Sequence, residues 1–253
     1  MPAGMVHPGH ETTSRSRALL DAWEHGEPES PGERALTLLA ARDPSTSRGE
    51  LAELTVGARD RRLLALRREL FGAAVDALVT CPRCAESVEL RFDVDDIVVE
   101  GGEPLGSRVD VETESGTLSL RLPTAGDLAA SHASADPERA LAVLLDRMLP
   151  ASGDGPRPGP DALTPETVAR IGTALAAADP QADVSFDVAC PACEASFQTP
   201  LDIAAFVWSE LTDWAARLLA DVHALALAYG WREQDTLALS PGRRRFYLEA
   251  VGA

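Results

Sequence analysis

Every cysteine in this chain belongs to one of two short pairs, Cys-Pro-Arg-Cys at 81–84 and Cys-Pro-Ala-Cys at 190–193. Four thiolates in two such pairs can close a tetrahedral shell around one zinc ion and leave no coordination position open to a substrate. Either pair alone supplies only two ligands, so the spacing predicts one structural zinc site shared by Cys81, Cys84, Cys190 and Cys193. Joining segments roughly a hundred residues apart costs only a few kcal/mol, because loop-closure entropy grows with the logarithm of length. Apparent zinc affinities of about 10–16 kcal/mol in small finger peptides exceed that cost. A redox role is the rival reading. It wants the first cysteine at a helix N-terminus, where the dipole lowers its pKa, yet each pair here is followed by a run of period two.

That alternation, Val88-Glu89-Leu90-Arg91-Phe92 after the first pair and Phe197, Thr199 and Leu201 after the second, is the pattern of half-buried strands. Val184, Phe186 and Val188 alternate ahead of Cys190, which predicts a hairpin with Cys-Pro-Ala-Cys at its tip. Another hairpin is expected from 108–112 and 118–122 around Glu114-Ser115-Gly116. Helices are predicted at 33–41, 59–70, 73–78, 126–131, 137–149, 164–178, 203–229 and 242–251, several opened by a capping residue and a first-turn proline. Residues 1–32 read as a disordered tail and the Gly/Pro-rich stretch 151–163 as a linker. It would separate an N-terminal lobe, 33–150, from a C-terminal lobe, 164–253. The fold class is thus α+β: mainly helical, with small antiparallel sheets and a zinc-ribbon-like clasp built from the two knuckles.

The formal charge is −17 and lysine is absent. Such a chain is repelled by phosphate backbones and anionic lipid, which argues against nucleic acid as a partner. No apolar run approaches the ~18 residues of a membrane span, and the first residues lack the apolar segment of a secretory signal. A cytoplasmic location, where thiols stay reduced, is expected. No Gly-x-Ser-x-Gly, His-Glu-x-x-His or phosphate-loop motif occurs, and none of the five histidines stands in a catalytic pattern. A non-enzymatic role is therefore expected; a zinc or thiol enzyme would need an open metal site or an acidic thiol. The arginines at 59, 61, 62, 67 and 68 are expected to cover the outer side of their helix. Trp231, Arg243, Arg244 and Arg245 are candidate partner-binding residues, with a core tryptophan and a solvated helix face as the plainer alternatives.

Several stretches together resemble a known family. The run from Leu54 to Arg67 (Leu-Thr-Val-Gly-Ala-Arg-Asp-Arg-Arg-Leu-Leu-Ala-Leu-Arg), then Leu70-Phe71-Gly72 and the first knuckle, are similar to T-even-type phage baseplate hub assembly chaperones, which also occur in phage-tail-like contractile injection system clusters. Residues 222–231 and 239–248 add to the likeness, which spans roughly 33–253. It implies an assembly factor or component of a baseplate hub, with baseplate, hub or spike proteins as partners. A cytoplasmic zinc-ribbon adaptor in transcription or another assembly is the alternative.

Overall fold

The computed structural model describes residues 8–99, 104, 106–113, 116–149 and 163–252. They fall into two units, residues 30–207 and a second built from both ends of the chain, 1–29 with 208–253. This division runs elsewhere than the predicted linker, of which all but Leu163 lies outside the described residues.

In the larger unit, helix α2 (Pro31–Arg42) starts behind Ser30 with proline in its first turn, α3 (Arg48–Ala52) carries a Ser47/Glu50 capping box, and α4 (Val56–Phe71) is capped by the Thr55 hydroxyl. Most of their leucines, among them Leu36, Leu39, Leu51, Leu63 and Leu66, are buried. Gly32 is needed where α2 meets α6 (Ala125–Ser131): a Cβ there would lie 2.6 Å from the Ala129 Cα. The arginines of α4 do not all face outward. Arg59 and Arg67 are buried, and Arg67 donates to the carbonyls of Gly72 and Ala74 at 2.6 and 2.7 Å, fixing the turn that ends the helix.

Beyond that turn the chain is a strand, β1 (Ala74–Thr80), where a helix over 73–78 was predicted. Alanine-rich composition favours helix locally, but pairing overrides it. β1 lies antiparallel to β2 (Ser87–Asp93), with Val75 opposite Phe92 and Val79 opposite Val88. After a single turn, α5 (Val94–Ile97), come β3 (Arg108–Thr113) and β4 (Gly116–Arg121), paired as predicted. Val109, Val111, Leu120 and Leu122 of this hairpin bury against Leu145, Met148 and Leu149 at the end of α7 (Pro137–Met148) and Ile171 of α8 (Pro165–Ala178).

Asp127 ties this region together. It accepts from the Arg121 fork and from Arg147 Nε (2.8 Å), and from the Thr124 N–H (2.9 Å). Burial alone would raise its pKa, yet these donors outweigh it and hold the carboxyl at about 2. A 3-10 turn at Pro180–Ala182 leads to β5 (Ser185–Ala189) and β6 (Ser196–Pro200), a second knuckle-tipped hairpin, and then to α9 (Ile203–Tyr229), as predicted.

The smaller unit joins α1 (Pro8–Gly26), the part of α9 from Trp208 onward, α10 (Glu233–Leu237) and α11 (Pro241–Val251). Residues 8–26 were expected to be part of a disordered tail and are helical. Only the last turns of α1 carry apolar residues, too few to give a sustained period. They suffice because Leu20 packs with Ala215, Leu218 and Leu237, with Trp23 and Trp214 beside them.

Candidate metal centre

The two knuckles are the same structure twice. In the first, the Cys81 N–H donates to the Glu86 carbonyl (2.8 Å) and the Ala85 N–H to the Cys81 carbonyl (2.9 Å). In the second, the Cys190 N–H donates to the Ala195 carbonyl and the Glu194 N–H to the Cys190 carbonyl, both at 2.9 Å. The residue after each second cysteine takes a left-handed backbone, with φ +60° at Ala85 and +58° at Glu194. Glycine is the usual residue for that conformation, so nothing in the sequence announced these two positions.

The hairpins bring all four sulfurs within 4.8 Å of one another, and among the described residues no other group of His, Cys, Asp or Glu side chains is so placed. Cys81 Sγ lies 3.8 Å from Cys193 Sγ, and Cys84 Sγ 3.6 Å from Cys190 Sγ. All four thiols are free of disulfide. A tetrahedral ion bound to sulfur at ~2.3 Å separates its ligands by about 3.8 Å, a spacing that the Cys81–Cys193 and Cys84–Cys190 pairs match. The cluster fits a thiolate-bound metal ion.

The thiols are electrostatically unequal. Burial would push Cys81 up, but the N–H groups of Cys84 and Arg83 aimed at its sulfur bring it down to about 7. The Glu86 N–H favours the Cys84 thiolate, yet the crowding sulfurs of Cys193, Cys190 and Cys81, with burial, push it up to about 12. Four sulfurs this close cannot all ionise without a cation among them. The helix dipole required by a redox reading is absent, since β2 and β6 follow the two pairs.

Protein contacts hold this geometry. Cys81, Val88, Val188 and Cys190 share a small core with Leu90 and Phe197 against it, and the Phe92 and Phe186 rings lie 4.7 Å apart. At the hairpin ends away from the knuckles, the buried Gln181 side chain accepts from the Val99 N–H (2.9 Å) and donates to the Ile97 carbonyl (3.2 Å). This joins the segment after the first hairpin to the one before the second.

The candidate partner-binding residues belong to the smaller unit. Trp231 stacks on Tyr229 (4.8 Å) and meets the edge of Tyr247 (5.0 Å). Arg243 and Arg245 are exposed, and Arg244 Nε pairs with Asp221 Oδ2 at 2.9 Å. Phe246, whose ring lies 5.6 Å from that of Tyr247, is 66% exposed, and Leu227 of α9 is 76% exposed.

A family model described as T4 bacteriophage base plate protein matches residues 12–148, more than half of the chain. The chain belongs to that family. Membership supports a baseplate-associated structural or assembly role. The matched segment runs from α1 to the end of α7 and takes in the first knuckle, while Cys190, Cys193, Trp231 and the arginines at 243–245 lie beyond it. Comparison with curated proteins and with solved structures gave no match. No helix among the described residues is long and apolar enough to cross a membrane.

Proposed function

We propose that this chain is a non-enzymatic component or assembly factor of the baseplate hub of a phage-tail-like contractile injection system. The family match over 12–148 carries this reading. A single structural zinc, held by Cys81, Cys84, Cys190 and Cys193, braces the two hairpins of the larger unit. With four sulfur ligands the ion has no open position, so it contributes rigidity rather than chemistry. Partners are baseplate, hub or spike proteins met in the cytoplasm during assembly. In the smaller unit the exposed Phe246, the Trp231 group and the free guanidiniums of Arg243 and Arg245 suit an acidic, partly apolar partner surface.

Affinity purification of the tagged full chain from its native producer tests the role. Co-purification of baseplate, hub or spike components is expected, and their reduction when Trp231→Ala is combined with Arg245→Glu. Recovery of none of them from cells that are assembling particles would sink it.

A further inference from the structure

A cleft of about 510 Å³ opens in the larger unit, and none of the four cysteines lines it. Its walls are apolar, from Leu128, Leu175, Leu201 and Ile203, and its polar groups are mostly acidic. Asp60 and Asp179 line it and are buried at 4% and 2% exposure, while Asp183 and Asp202 stand exposed at the rim. Against four carboxylates the lining offers one guanidinium, Arg59, and one imidazole, His132. Arg59 is already engaged, with Nε 2.7 Å from Asp60 Oδ1.

Asp179 supplies a second, independent observation. Its Oδ2 accepts from the Gly57 N–H at the start of α4 (2.9 Å), but its buried Oδ1 has no hydrogen-bond partner among the described residues. Gly57 permits this approach, since a Cβ there would fall 2.0 Å from that same oxygen. An unpartnered buried carboxylate oxygen leaves its charge uncompensated and adds to the negative potential of the cleft that Asp179 lines. Burial first, and the charges of Asp202 and Asp179 after it, push the Asp60 carboxyl up to about 6 despite Arg59, so the lining carries surplus negative potential.

We propose that this cleft binds a basic side chain, guanidinium or ammonium, presented by a partner protein. Apolar walls above an acidic floor match a long aliphatic stem with a cationic tip. A divalent metal fits less well, because the carboxylates do not converge as the four sulfurs do. The net charge of −17 draws basic segments toward the molecule from a distance. This proposal stands independently of the zinc and of the hub assignment.

The probe is N-acetyl-arginine amide, titrated into the ¹⁵N-labelled full chain and followed by amide chemical shifts. N-acetyl-citrulline amide serves as the uncharged isostere and magnesium chloride as a metal control. Saturable shifts at Gly57, Ala58 and Asp179 are expected with the arginine compound, with binding at least about tenfold weaker for citrulline, given the worth of hydrogen bonds to charged groups. Asp183→Asn and Asp202→Asn should each weaken it about two- to fivefold. Asparagine at 202 can keep the cap on the Ala205 N–H, so the fold is spared. No saturable shifts at these amides, equal shifts with citrulline, or the same shifts with magnesium alone would overturn the proposal.

Discussion

Removing the metal from the knuckle pair should cost the larger unit on the order of 5 kcal/mol. In the unfolded chain, either Cys-x-x-Cys is a two-thiolate ligand by itself. Completing the shell there means closing the loop between Cys84 and Cys190, which are 106 positions apart. A cross-link over about 100 residues removes about 4.7 kcal/mol of chain entropy in the loop-closure model. In the folded protein the hairpins are already seated against each other by Val88, Val188, Phe92 and Phe186, so an ion would meet all four sulfurs without that cost. The folded state should therefore bind zinc roughly 10³-fold more tightly than an unfolded chain carrying the same thiols. For a domain of this size the effect corresponds to a melting shift of about 10–20 °C. Calorimetry of protein as purified, after stripping with a strong chelator, and after zinc return reads it directly, with elemental analysis giving the stoichiometry. One zinc per chain and a reversible shift of that size are expected, and Cys190→Ser should melt like the stripped protein. Two ions per chain, or a stripped protein melting unchanged, would refute the reasoning.

Three further predictions follow from particular contacts. Ala85→Gly and Glu194→Gly should each stabilise the protein by about 0.5–1 kcal/mol in urea denaturation, because both positions hold a left-handed backbone; valine at either should destabilise. Gly57→Ala drives a methyl onto Asp179 Oδ1 and breaks the Gly57 hydrogen bond, for a loss of about 1–3 kcal/mol in the same assay. Stability against pH should show two opposing carboxylates. Asp127, held at about 2, contributes stability above its unfolded pKa near 4 that disappears as pH falls through 2. Asp60, raised to about 6, contributes most below pH ~4 and loses that contribution as pH rises through 6. Asp127→Asn should therefore flatten the acid limb and cost on the order of 1–2 kcal/mol at pH 7, allowing for screening at its half-exposed arginines. Asp60→Asn should remove the slope between pH 4 and 6.

How far the molecule could be read from its residues depended on whether the signal was local. The spacing of the cysteines and the period-two runs beside them pointed to a strand after the first pair, a hairpin tipped by the second pair and one shared cluster, and the apolar run 203–229 showed a long helix at its full length. The strand β1 escaped notice because its stabilising partner, β2, overrides the helical preference of Ala73-Ala74-Val75. Helix α1 escaped because half of it is polar and its apolar end finds partners only some two hundred residues later. Arg59 and Arg67 looked like a solvated face, since sequence does not reveal that one would meet Asp60 and the other two backbone carbonyls. The acidic cleft was invisible for a similar reason: Gly57 and Asp179 are 122 positions apart, and neither stands in a recognisable motif.

The weaving of both chain ends into one unit sets a clock on biosynthesis. Leu20 is made about two hundred residues before Leu218 and Leu237, which pack with it. At roughly 5–20 residues per second, the first helix waits about 10–40 s on the ribosome with its apolar stripe bare. During that interval the middle of the chain can fold around its two hairpins, and the unit containing the first helix closes only once Leu237 has emerged. The nascent first helix is thus the segment most in need of a holdase, and the place where crowded expression should first produce aggregates.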